Sequence, residues 1–160
     1  MNAKYNLQQV ADYFISWSNE TEDAITNLKL QKLVYYAQAW FLGHTQSALF
    51  PEDVQAWVHG PVVPELYKQY KQFGWKPIQR EDLGSCSFEG VEASFDEEDR
   101  GILADVRNHY AAKGAFELEL LTHRQSPWYL TRNGRPEDEA CTEVISKELM
   151  MQWASQQLQA

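Results

Sequence analysis

Four histidines (His44, His59, His109 and His123) and two cysteines (Cys86 and Cys141) are the side chains here best suited to bind a metal or to act as base or nucleophile. Metal ligands must converge on one ion, and spacings such as HxxxH, HxH or CxxC achieve that locally. None of these spacings occurs, so a metal would have to be assembled by tertiary structure alone, and no cofactor is expected. Cys86, between Ser85 and Ser87, has the type of a nucleophile that His59 or His123 could activate. Nothing beside it would lower a thiol pKa, so packing is the plainer reading. The acid pairs Glu97/Glu98 and Glu117/Glu119 sit among other charges, as on a solvated surface. No GxxxxGK[ST] or GxGxxG phosphate loop is present. No constellation asks for catalysis, and the one enzymatic option left is a His59/His123 pair meeting in a single pocket.

Two of the histidines lie in unusual local sequence. His59-Gly60-Pro61-Val62-Val63-Pro64 follows the strand-like run Val54–Val58. Glycine permits a φ that other residues resist, and the two prolines stiffen the chain. The segment therefore predicts a rigid strand-to-helix corner, with His59 as an interior or half-buried imidazole bonded to backbone. Thr122-His123 closes a short helix, and Pro127-Trp128 anchors the following loop in the core. A functional alternative is that these corners frame a groove, with Trp57, Tyr67 and Trp128 as anchors for a partner.

The elements that must position these residues are mostly helical. Leu7, Val10, Ala11, Phe14 and Ile15 repeat at helical spacing behind an Asn6 cap. Thr26 or Asn27 caps a second helix that reaches about Leu42, with Gly43 as its left-handed terminator. That helix is apolar around most of its circumference, which marks the hub of the core. Pro64 opens a helix that stops at Gly74. Cys86, Phe88 and Val91 alternate in a way that suits a small hairpin within 75–95. Asp96 caps a helix bearing Ile102, Leu103, Val106 and Tyr110, which ends near Gly114. A short helix follows over 116–121, then an Asn133-Gly134-Arg135-Pro136 turn. Cys141, Ile145, Leu149 and Trp153 form a stripe on a terminal helix. The fold class is mainly α: a single helical domain over 1–160 with a small β element near 54–58.

Composition narrows the partners. At 160 residues with 44% apolar and 13% aromatic content, the chain suits one packed domain. No apolar run approaches the roughly 20 residues of a membrane span, and the first residues lack a secretory layout. With two cysteines, a cytoplasmic protein with reduced thiols and no membrane partner is expected. The net charge of −9 is concentrated: residues 81–105 hold nine acids and one base. Without a dense basic cluster, nucleic acid is disfavoured as a partner. The acids, Glu97, Glu98 and Asp99 among them, would instead offer an electrostatic handle to a basic protein.

Three blocks carry a resemblance. TNLKLQKLVYYAQAWFLG, AWVHGPVVPELYKQYK and LLTHRQSPW, in that order, resemble the Panacea domain, the SocA-like antitoxin family that includes phage-associated GepA-like proteins. The likeness extends over about residues 5–155. It implies a bacterial or phage antitoxin that binds and neutralises a toxin encoded beside it, with no enzymatic activity. In one branch the domain is an adaptor that delivers its toxin to a protease; a DNA-binding autorepressor role is a further alternative. Leu28, Leu30, Leu33, Tyr35, Tyr36 and Ala37 match the family's central helix. Trp57, Gly60, Pro61, Val62 and Pro64 match its corner block, and Thr122, His123, Pro127 and Trp128 match its later block. Ala115 departs from the pattern, standing where relatives have a Ser-like helix cap. The expected partner surface, drawn from the groove at the two corners, comprises Trp57, His59, Gly60, Pro61, Tyr67, His123 and Trp128, with Glu97, Glu98 and Asp99 of the acidic segment contributing charge.

Overall fold

The computed structural model describes residues 2–84 and 87–160. Helix α1 spans Leu7–Thr21, and the Asn6 side chain accepts the Gln9 N–H at 2.8 Å. Its predicted stripe, Leu7, Val10, Ala11, Phe14 and Ile15, is buried. Helix α2, Asn27–Thr45, starts under the Thr26 hydroxyl and ends at Gln46, whose φ is 64°. Gly43 therefore lies inside the helix instead of ending it. The glycine is needed for packing, because a Cβ there would stand 2.6 Å from the Ala154 Cβ.

Strand β1 (Val54–Trp57) pairs antiparallel with β2 (Gly60–Val62) on one side and β3 (Val144–Ile145) on the other. Helix α3 (Pro64–Tyr70) follows, with Pro64 in its first turn, and a 3-10 turn carries the chain to Gly74. The hairpin expected within 75–95 is not formed by the described residues of that stretch. They form two short helices, α4 (Glu81–Gly84) and α5 (Phe88–Glu92). Ser87 caps α5 by accepting the Gly90 N–H, and the Phe88 ring packs edge-on to Tyr13 at 5.1 Å. A cap and the contact of a half-buried Phe88 with the core outweigh a three-residue alternation; Cys86, one of those three, lies outside the described residues.

Helix α6 (Glu97–Tyr110) buries Leu103, Val106 and Tyr110. It ends at Tyr110, and Gly114 is instead the cap residue of α7 (Ala115–His123), so Ala115 is the first helical residue and not the cap. Helix α8 (Ser126–Arg132) ends at Asn133, φ 50°, beside Gly134, φ 81°, in the expected turn. The terminal helix is shorter than predicted. α9 runs Lys147–Gln159 under the Ser146 hydroxyl, while Cys141 and Ile145 are buried ahead of it, Ile145 in β3. A strand running into a helix reproduced an i, i+4 pattern by coincidence. Helix α2 is the hub: α1, α3, α6, α7, α9 and β2 all pack on it, and Leu30, Leu33, Val34, Tyr35, Tyr36 and Ala37 are at most 1% exposed.

Candidate functional site

The HGPVVP segment reverses the chain before turning it into a helix. β1 and β2 form a hairpin in which Trp57 faces Gly60, leaving Val58 and His59 as the tip. The positive φ that the reversal needs falls on Gly60, at 102°. A Cβ at Gly60 would also meet Lys32 Cε at 2.6 Å and Thr122 Oγ1 at 2.9 Å. Pro61 lacks an N–H to give the ladder, which an edge strand such as β2 tolerates. His59 is exposed, not interior or half-buried as predicted, because it occupies the hairpin tip. Its Nδ1–H donates to the Glu119 carboxylate at 2.8 Å, not to backbone.

Polar side chains of α2 hold the inner side of this corner. Asn27 Nδ2 donates to the Tyr67 carbonyl at 3.0 Å, Gln31 Oε1 accepts the Val63 N–H at 3.0 Å, and Lys32 Nζ donates to the Pro61 carbonyl at 3.3 Å. Gln31 Nε2 closes the set by donating to Asn27 Oδ1. All three side chains are buried, where an unpaired polar group would be destabilising. From the other side, three successive carbonyls of the hairpin are captured by α7 and α8. Arg132 Nη1 donates to Ala56 O at 2.9 Å, Trp128 Nε1 to Trp57 O at 2.7 Å, and His123 Nε2–H to Val58 O at 2.9 Å. These three side chains also stack: the His123 and Trp128 rings are 3.9 Å apart and nearly parallel, and the Arg132 guanidinium lies 4.7 Å from the Trp128 ring centre.

Burial sets the electrostatics. Lys32 is 1% exposed, and desolvation draws its pKa down to about 7, with the Glu119 charge opposing that shift. Burial likewise lowers His123, although its bond to Val58 O works the other way. Glu119 thus bonds an exposed imidazole and acts electrostatically on the buried Lys32.

The residues singled out from sequence divide into two groups. At the corner, Gly60, Pro61 and Trp128 are buried, His123 is half-buried, and Trp57 and Tyr67 are half-buried and packed edge-to-face at 5.1 Å. Elsewhere, Glu97 and Glu98 are exposed in the first turn of α6, whereas Asp99 is 4% exposed and takes Lys4 Nζ at 2.7 Å together with the Tyr5 hydroxyl. His59 and His123 share the corner, but each has a ring nitrogen committed to the bonds described above. His44 and His109 instead meet at a groove of about 260 Å³ with Trp40, Asp105 and Tyr110. Among the described residues no group of His, Cys, Asp and Glu is placed to hold a metal. Of the lysines a basic surface would draw on, Lys32 is buried and Lys29 donates to the Ala111 carbonyl, whereas Lys68 and Lys71 are exposed. Lys32 and Arg132 were not anticipated as parts of the corner. For Lys32 a signal existed, a charge on a helix apolar nearly all round; for Arg132 there was none.

Helices around one buried helix, a small three-stranded sheet, and sequence blocks that fix a backbone corner define a mainly α domain. Lys32, Gly60, Thr122, His123 and Trp128 all fall within residues 30–129, which match the family model "Antitoxin SocA-like, Panacea domain", and the chain belongs to that family. No curated protein and no solved structure matches it. No helix among the described residues is long and apolar enough to cross a membrane.

Proposed function

We propose that this chain is the antitoxin of a type II toxin–antitoxin pair and neutralises, by direct binding, a cytoplasmic toxin encoded beside it. Family membership over residues 30–129 carries the reading. The surface we assign to the toxin is the outer side of the corner with the adjoining faces of α7 and α8. His59 projects there, and Phe116, Leu120, Tyr129 and Leu130 expose 70%, 40%, 47% and 55% of their surface. Apolar side chains held out on ordered helices suit an interface whose centre is aromatic and aliphatic. Trp128, Gly60 and Pro61 then shape the corner from within instead of touching the partner.

The test is co-expression. The protein encoded by the adjacent reading frame is induced alone and together with this chain, and growth and co-purification are scored. Growth arrest, rescue and a stable complex are the expected outcome. Phe116→Asp with Leu130→Asp should abolish rescue while leaving the circular dichroism spectrum unchanged. A harmless neighbour that does not co-purify would overturn the reading.

A further inference from the structure

Trp75 is the most exposed large apolar side chain among the described residues, at 96%. A tryptophan is the side chain with most to gain from burial, so an ordered chain that leaves one wholly in water calls for an explanation. The segment around it is a built turn. The Gly74 N–H donates to Lys71 O at 3.0 Å, Lys76 N–H to Phe73 O at 2.9 Å, and Ile78 N–H to Ile25 O at 2.8 Å. Ile78 is 4% exposed and ties the exit of the turn to the core, and the Phe73 ring lies against Tyr70 on the approach. Gly74 takes φ 57°, ψ −120°, a conformation essentially closed to residues with a Cβ, although a Cβ there would meet nothing within 4 Å. The glycine therefore serves backbone direction and not packing, and that direction carries the indole outward. Lys68, Lys71 and Lys76, its neighbours along the chain, are exposed, and none has an ion pair among the described residues.

We propose that the Gly74–Trp75 tip is a second docking point, whose occupant is an apolar pocket rimmed by carboxylates on the partner protein. This inference rests on the antitoxin reading and deepens it. The indole fills the pocket as a central anchor, and the three ammonium groups meet the rim. Tryptophan is enriched among residues that dominate binding energy, and a pre-formed turn loses little freedom on docking. Unpaired lysines around an apolar anchor select an acidic rim over a basic one.

The experiment uses the full chain and the protein encoded by the adjacent reading frame, in calorimetry and fluorescence. Trp75→Ala should weaken binding at least about 30-fold, within the range of an interface hot spot, with an unchanged melting curve because the side chain is fully exposed. Gly74→Ala should weaken binding in the same direction by re-aiming the indole. The charge-reversed Lys68→Glu/Lys71→Glu/Lys76→Glu variant should slow association at low salt and approach wild type at high salt. The emission difference between wild type and Trp75→Phe should move to the blue on complex formation. If the neighbour fails to bind the wild-type chain, the antitoxin reading itself falls. If wild type binds and Trp75→Ala binds within twofold of it, this inference is overturned while that reading stands. A single-stranded oligothymidylate bound by wild type but not by Trp75→Ala would also overturn it, by assigning the tip to stacked bases.

Discussion

At the scale of single residues, Lys32 is the most consequential side chain in the chain's interior. Its ammonium is held by one carbonyl at 3.3 Å beneath a glycine that leaves no room for a Cβ. The folded pKa of about 7 against an ordinary 10.5 fixes a linkage. Between those values the unfolded chain binds a proton that the folded chain does not, so stability rises with pH across that window. The contribution is complete above about 10.5, is lost as pH falls toward 7, and is flat below. A measurement from pH 7 to about 8.5 stays clear of ordinary tyrosine ionisation. Lys32→Met keeps the bulk of the stem and removes the charge. The slope of unfolding free energy against pH over that range should largely vanish, leaving a smaller slope of the same sign from half-buried Lys29. At pH 7 the variant should be more stable by on the order of 4 kcal/mol, the lowered pKa being worth up to about 5 and the lost hydrogen bond about 1. Denaturant titration at four pH values reads this directly, and an unchanged slope would show that the ammonium is solvated. His123 titrates in a different window: its depressed pKa places stability above about 6.5, lost as pH falls through its folded value.

At the scale of elements, the docking of α9 on α2 turns on one missing methyl group. Gly43 meets Ala154 so closely that an added Cβ would lie 2.6 Å from the Ala154 Cβ and 3.3 Å from backbone atoms. Around that notch Trp153 packs on Trp40 at 5.3 Å and on Tyr36 at 6.2 Å. Gly43→Ala should destabilise the chain by about 2 kcal/mol, an overpacking effect that exceeds the gain in helix propensity. Amide exchange should accelerate in α9 more than in α1, and adding Ala154→Gly should restore part of the loss. Equal exchange in both helices would mean that α9 is not held through the notch. The same contact shows what the sequence could and could not reveal. α1 and α2 were legible because their Asn6 and Thr26 caps and apolar periods are local, and α3 and α6 by Pro64 and an apolar stripe, Asp96 standing at the cap of α6 without a side-chain cap bond. Gly43 looked like a terminator because a glycine after an apolar helix usually is one, and only the approach of α9 from more than a hundred residues away gives it another purpose. The corner block was legible as a corner, and its reversal was not: a two-residue hairpin tip at Val58-His59 carries none of the Asn-Gly or Asp-Gly signals that usually mark one. For that reason His59 was placed inside. The stripe from Cys141 to Trp153 failed similarly, since an i, i+4 spacing alone does not distinguish one helix from a strand running into one.

At the scale of the whole molecule, the charge is more selective than the total of −9 implies. Of the nine acids in 81–105, Asp82 pairs with Arg80, Glu92 approaches Arg107 at 3.9 Å, and Asp96 and Asp99 both take Lys4. Glu97 and Glu98 are exposed in the first turn of α6, a position where negative charge also complements the helix dipole. These two, without Asp99, are the residues with which to test the expected basic contact face on the proposed toxin partner. The Trp75 tip contributes the opposite sign, so the chain offers a partner an acidic helix start and a basic tip as separate features. Long-range attraction acts on approach rather than on the docked state, so the effect of Glu97→Lys/Glu98→Lys belongs in the association rate. At low ionic strength that rate should fall by about fivefold or more, with little change in dissociation, and the difference should shrink as salt screens it over roughly 8 Å near physiological strength. A Glu97→Gln/Glu98→Gln control separates neutralisation from reversal and should fall between the two. An association rate that is the same in all three proteins at low salt would remove the basic face from the partner's description and leave the apolar surface of α7 and α8 to carry recognition without steering.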